Sequence, residues 1–187
     1  MANLKDSPTF KKHDDYYTPE SAWQAVAHLI PPETKVWEAC MLNATKSKSP
    51  EYLSRLDNVR EVVADTNLDM LVDAPPKRHF TTPDGVDLIV TNIPFSTTIK
   101  KKVLERLVAL DIPFMIIMNS MNLYSNYMRD IFGENISQLQ VVVPRGKIHF
   151  DKLDYDSGEI HKTKNCSFYC VYVCYKMNIP SYQLFLK

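Results

Sequence analysis

Glycine is scarce in this chain: Gly85, Gly133, Gly146 and Gly158 are the only four in 187 residues, against a usual share of about 7%. Glycine lets a backbone turn tightly and approach a ligand closely, so most loops here must be built with side chains in place. Net charge is also missing. Lysine plus arginine equals aspartate plus glutamate, 22 each, so no global field steers the protein to nucleic acid or a membrane, and only a local basic patch is left open. No apolar run approaches the ~20 residues of a membrane span, and Met1-Ala2-Asn3-Leu4-Lys5-Asp6 carries no apolar leader segment. The sequence therefore reads as soluble and intracellular. The cysteines form no CxxC pair. Cys166, Cys170 and Cys174 are evenly spaced in a Tyr/Val-rich run and read as buried thiols on one face of a strand, in a reducing compartment. The five histidines show no pairing at metal spacing, so no metal site is expected.

What is present is organised around Asp87-Leu88-Ile89-Val90-Thr91-Asn92-Ile93-Pro94-Phe95-Ser96. A β-branched apolar run reads as a buried strand, and it breaks abruptly into an amide, a proline and an aromatic ring. At the carboxyl end of a core strand in an open α/β sheet, ligands bind. Asn92 can accept hydrogen bonds from an amino group, Pro94 stiffens the turn, and Phe95 offers a flat face for stacking. These are the parts needed to hold a planar ring by its exocyclic amine.

Around that stretch the chain divides into residues 1–13, a polar and flexible arm, and one domain over 14–187. Thr18-Pro19 predicts a helix start, followed by Ala22, Trp23, Val26, Leu29 and Ile30 at helical spacing up to Pro31-Pro32. Strands are expected at 35–38, 61–64, 87–92, 114–118, 139–143, 147–150 and 168–175, and helices from Pro50, from Thr97 or Thr98, and over about 121–132. Strands alternating with helices indicate an α/β, Rossmann-like fold with a mostly parallel seven-stranded sheet. The last strands lack long helices between them and are expected as an antiparallel C-terminal edge. Glu38 and Asp65 fall at the carboxyl ends of predicted strands, with Asp69 four residues on. An acid at the end of the second strand commonly accepts hydrogen bonds from ribose hydroxyls. The plain alternative is that such loop acids are solvated or cap helices.

Together these residues resemble the S-adenosylmethionine-dependent N6-adenine DNA methyltransferases, especially the small viral and phage-type members. The resemblance spans about Asp14 to Tyr175. Asp15-Tyr16-Tyr17-Thr18-Pro19 looks like the leading segment that packs on the cofactor's methionine part. Val36-Trp37-Glu38 looks like the first strand and acidic start of the cofactor loop. Asp65 matches the acid that holds the ribose, and Asp69-Met70-Leu71 resembles the element beside the cofactor's adenine. Thr91-Asn92-Ile93-Pro94-Phe95-Ser96 resembles Thr-Asn-Pro-Pro-Phe-Ser, the catalytic signature. Arg145-Gly146-Lys147-Ile148-His149-Phe150 is similar to a later family strand. The resemblance implies a class I methyltransferase fold, S-adenosylmethionine as cofactor through Tyr17, Thr18, Pro19, Glu38, Asp65 and Asp69, and catalysis by Asn92, Ile93, Pro94 and Phe95. The Asn92 oxygen and the Ile93 carbonyl would accept the two N–H bonds of the adenine amine, and Phe95 would stack on the base flipped from the duplex.

Two positions depart from the family pattern. The segment Glu38-Ala39-Cys40-Met41-Leu42-Asn43-Ala44-Thr45 holds no glycine, and Ile93 stands where the signature has its first proline. Ile93 keeps the carbonyl but loses proline's rigidity and gains an N–H. A second reading follows: a methyltransferase-like fold without catalysis, serving as a nucleic-acid-binding or assembly subunit. A third is methyl transfer to RNA or to a protein glutamine. The expected partners are DNA, or RNA, and a partner subunit or second copy, with no membrane. About forty to fifty residues separate the loop from the catalytic turn that the resemblance implies, which leaves no room there for a large target-recognition insertion. Lys100-Lys101-Lys102 reads as a solvated helix face, or as a phosphate contact together with Lys46, Lys48, Arg145 and Lys147.

Overall fold

The computed structural model describes residues 16–41, 47–64, 82–154, 157–162 and 166–186. The arm over 1–13 lies outside them. In chain order the elements are β1 (Tyr16–Tyr17), α1 (Glu20–Gln24), β2 (Thr34–Trp37), α2 (Ser49–Ser54), β3 (Val59–Val63), β4 (Leu88–Asn92), α3 (Thr97–Leu110), β5 (Phe114–Asn119), α4 (Asn126–Phe132), β6 (Leu139–Val143), β7 (Asp151–Leu153), β8 (Ile160–Lys162), β9 (Cys170–Tyr175) and β10 (Gln183–Phe185). Single 3-10 segments cover Ala27–Leu29, Ser120–Tyr124 and Gly133–Gln138.

Seven strands form one sheet in the order β10-β6-β9-β5-β4-β2-β3. All of its pairings are parallel except those of β9, which runs antiparallel to both β5 and β6. The α/β, Rossmann-like, mostly parallel seven-stranded fold expected from the sequence is present. Its antiparallel part is placed differently within it. The reversed strand is β9, inserted between β5 and β6, and the edge beside β6 is the parallel β10. The strand expected at 147–150 alternates as a strand does, with Ile148 and Phe150 buried and His149 exposed, yet pairing begins only at Asp151. From there β7 joins β1 and β8 in a separate three-stranded sheet.

The strand sequences explain why the sheet is covered on both faces. Side chains alternate with period two. Ile89, Phe114, Ile116, Met118, Val171, Val173 and Tyr175 enter one core, where Ile99, Val103, Leu104 and Leu107 of α3 and Met128 and Phe132 of α4 meet them. Leu88, Val90, Met115, Ile117, Cys170, Tyr172 and Cys174 enter the other, against Trp23 of α1 and Leu53 of α2. Each such fully buried aliphatic or aromatic side chain contributes about 1.5–3 kcal/mol, which is why runs such as Leu-Ile-Val and Phe-Met-Ile-Ile-Met carry no polar break. Cys170 and Cys174 share one face, and Cys166 joins the same core just before the strand. All four cysteines are buried and free. Burial pushes the Cys174 thiol up to about 12 and raises Cys170 further, so both stay protonated and inert.

The first predicted helix is shorter than its spacing suggested. It ends at Gln24 and resumes as the 3-10 turn Ala27–Leu29, and Pro19 rather than Thr18 occupies the cap position. The link that holds it to the sheet is Tyr172, whose hydroxyl donates to the Ala22 carbonyl at 2.5 Å in the buried core. Tyr172→Phe removes that donor and strands the carbonyl, at a cost of about 0.5–1.5 kcal/mol. A melting curve should show Tm lower by roughly 1–6 °C; an unchanged Tm would mean that α1 is held by apolar packing alone.

Candidate functional site

The chain passes from β2 to β3 on one side and returns with β4 on the other side of β2. This reversal is a topological switch point, and the carboxyl ends of β2 and β4 flank the crevice it opens. Glu38 follows β2 and Asn92 ends β4, so the two residues singled out at strand ends stand on either side of that crevice.

Glu38 is buried and both of its carboxylate oxygens are engaged. Ser49 Oγ donates to Oε2 at 2.7 Å, and Trp23 Nε1 donates to the same Ser49 oxygen at 2.8 Å. Thr91 Oγ1 forms a short hydrogen bond to Oε1, which also receives the Cys40 N–H at 3.4 Å. The Cys40 N–H lies closer to Thr91 Oγ1, at 3.1 Å. One carboxylate thus ties together α1, α2, the end of β2 and β4. Ala39, Cys40 and Met41 are buried behind it, so the glycine-free loop begins by packing inward. Sequence reasoning identified Glu38 but missed Thr91, Ser49 and Trp23. The available signal was their type: a serine, a threonine and an indole N–H near a buried acid are the neutral donors such an acid requires.

The Asn92 amide is oriented by the chain's leading segment. Its Nδ2 donates to the Tyr16 carbonyl at 3.3 Å. That contact fixes which way the amide faces, because a carbonyl cannot receive from Oδ1. Oδ1 is buried and has no hydrogen-bond partner among the described residues. A buried acceptor left unmatched costs about 1–3 kcal/mol, and this one stands at the carboxyl end of β4 at the switch point, where open α/β sheets receive ligands.

Ile93 continues the strand's alternation, and the turn at Pro94 then switches Phe95 to the other face. Ile93 is buried in the core beneath α3, and Phe95 packs toward the opposite core. The turn is anchored from both faces, which restores with packing the stiffness that Ile93 gives up relative to proline. Phe95 belongs to an aromatic cluster. Its ring lies edge-on to Tyr16 (5.3 Å, 83°) and Phe150 (5.6 Å, 76°) and tilted against Phe168 (4.8 Å, 48°). Such pairs add about 0.5–1.5 kcal/mol each beyond burial, and together they fix the ring's angle. Tyr16 therefore does two things, orienting Asn92 with its carbonyl and bracing Phe95 with its ring. Tyr17 and Thr18 are buried beside it and Pro19 opens α1. The leading segment and the Asn92–Phe95 turn are thus brought together, whereas Asp65 and Asp69 lie outside the described residues.

Lys100 departs from the solvated helix face expected for 100–102. It is 3% exposed, and its Nζ donates to Asn122 Oδ1 at 2.9 Å, which also receives the Tyr127 hydroxyl at 2.6 Å. Asn122 in turn donates to the Asn119 carbonyl at 2.7 Å. The first turn of α3 is thereby bound to the segment leaving β5. Lys101 keeps to the surface, with its amine over the Tyr127 ring at 5.1 Å. Among the described residues no group of three or more His, Cys, Asp or Glu is placed to share a metal ion, and no helix is long and apolar enough to cross a membrane.

No protein-family model matches the sequence, and no curated protein matches it. Among solved structures it is similar to an SAM-dependent O-methyltransferase from Thermotoga maritima, at 9% identity, over 93% of this chain and 71% of that one, with a TM-score of 0.33.

Proposed function

We propose that the chain transfers a methyl group from S-adenosylmethionine to the exocyclic N6 amine of adenine in DNA. The observation that carries this reading is the buried Asn92 Oδ1, an acceptor without a hydrogen-bond partner among the described residues, at the topological switch point and with its amide fixed by Tyr16. The adenine amine is a poor nucleophile because its lone pair is delocalised into the ring. Asn92 accepting one N–H, with the Ile93 carbonyl accepting the other, favours a tetrahedral-like nitrogen whose lone pair can attack. As the new N–C bond formed, the methyl's S–C bond would break to leave a neutral thioether, and the nitrogen's surplus proton would pass to water. Phe95, braced by three rings, bounds the base on one side. When bound, the cofactor supplies an electrophilic sulfonium methyl, and the protein's part is binding and orientation.

In this reading Asn92 Oδ1 serves the substrate amine, and Tyr17, Thr18 and Pro19 beside it would take the cofactor's methionine part. Glu38 and the Cys40 N–H are already engaged within the protein, so they position the crevice floor. Ribose and adenine contacts fall to Asp65 and Asp69. The second reading, a noncatalytic nucleic-acid-binding or assembly subunit, is favoured by the same engagement of Cys40 and by the absence of glycine over residues 38–45. Calorimetric titration with S-adenosylmethionine separates the two. The expected result is saturable heat, weakened in Asp65→Ala, together with incorporation of labelled methyl into unmethylated duplex DNA. No heat and no incorporation would remove the enzymatic reading and leave the second.

A further inference from the structure

The described surface exposes few large apolar side chains, and three of them gather beside the candidate site. Met121 is 70% exposed, Tyr124 82% and Tyr169 62%. The 3-10 segment Ser120–Tyr124 leaves the carboxyl end of β5, two residues past Ile117, the sheet partner of Asn92. In a 3-10 helix residues three apart eclipse, so Met121 and Tyr124 project on the same side. Tyr169 joins them through its carbonyl, which receives the Ser120 N–H at 2.9 Å. A cation accompanies one of these rings, and a second sits over the half-buried Tyr127, which donates to Asn122 of the same segment. The Lys147 amine lies 4.4 Å from the Tyr169 ring centroid, and Lys101 sits over Tyr127. Lys100 and Asn122 lock the whole segment to the first turn of α3, immediately after the catalytic turn.

Exposed aromatic rings with lysine amines close by match one ligand chemistry. Unpaired bases stack on aromatic faces while lysines take the neighbouring phosphates. A duplex offers no base faces to such a rim. We propose that Met121, Tyr124 and Tyr169, with Lys101 and Lys147, form a platform that binds single-stranded DNA next to the Asn92 turn. The placement rests on the methyl-transfer reading for its choice of DNA, and it makes an unpaired strand, rather than an intact duplex, the form held at the site.

The test is fluorescence anisotropy with a labelled single-stranded DNA oligonucleotide, the same sequence as a duplex, and the same sequence as RNA, without cofactor. Single-stranded DNA should bind more tightly than either of the others. Tyr124→Ala and Tyr169→Ala, both at exposed positions that folding does not depend on, should each weaken it by about fivefold to 150-fold. With two lysines engaged, the logarithm of affinity should fall against the logarithm of salt with a slope of about −1.4. Wild-type affinity in both tyrosine variants, equal binding of duplex, or preference for RNA would each overturn the platform as stated. The methylation assay stands apart from this result. Methyl incorporation with tyrosine-independent strand binding removes the platform and keeps the enzyme. Tyrosine-dependent binding without incorporation does the reverse.

Discussion

Under the proposed methyl-transfer reading, Asn92→Ala should lower turnover by roughly 10²–10³-fold, the usual loss when one preorganised hydrogen-bonding partner is removed from a reacting centre, and should leave Tm unchanged or higher. The two halves of this expectation come from the same atom. Oδ1 is buried and unmatched among the described residues, so the fold they form carries the cost of desolvating it without the return of a hydrogen bond. Alanine removes that cost, about 1–3 kcal/mol, and gives up only the long contact from Nδ2 to the Tyr16 carbonyl. A residue kept for stability would behave in the opposite way. Turnover near wild type would dismiss the catalytic assignment, and a fall of several degrees in Tm would show that Asn92 is structural. Asn92→Asp sharpens the comparison. It keeps an acceptor but sets a carboxylate oxygen against the Tyr16 carbonyl, so the leading segment should loosen and activity should fall although the accepting group remains.

The contrast between Asn92 and Glu38 shows how far the sequence reaches. Apolar β-branched runs with turn residues after them placed β4 and β5 correctly, because a strand buried on both faces leaves no polar residue inside it. The same pattern could not place the reversed strand. Cys170–Tyr175 is buried on both faces whether it lies at the edge or two strands inside it, and only the pairing with both β5 and β6 decides. Asn92 was legible because an amide in a proline-aromatic turn is unusual after such a strand. The partners of Glu38 were not, since Trp23, Ser49 and Thr91 are far apart in sequence and serine or threonine at those positions reads equally well as a cap or a surface residue. Tyr16 was visible only as part of a motif. Its working atom is a backbone carbonyl, about which side-chain identity says nothing. Lys100 misled for a related reason: three adjacent lysines suggest solvent, but helical geometry turns successive residues by about 100°, and the first of them faces inward toward Asn122.

Glu38→Ala should be the most destabilising single change at the site, by about 3–4 kcal/mol, lowering Tm by roughly 6–16 °C. The carboxylate is the common acceptor of Ser49 and Thr91, and its removal leaves two buried hydroxyl donors facing a cavity. Each stranded donor costs about 1–3 kcal/mol. Part of this is offset because an anion no longer has to be kept out of water. Glu38→Gln keeps the shape and replaces one accepting oxygen with a donor, so one hydroxyl must turn away, and a smaller loss of about 1–2 kcal/mol is expected. The pairwise test is Thr91→Val. Combined with Glu38→Ala it should cost clearly less than the sum of the two single changes, because both remove the same contact. Additive losses, or a Glu38→Ala protein melting within 2 °C of wild type, would show that the four elements meeting at Glu38 are held by apolar packing and that the carboxylate is not their joint. If the coupling is found, the crevice floor is a rigid unit fixed by neutral donors around one acid. Asn92, one residue beyond Thr91, then owes its position to that unit as much as to Tyr16.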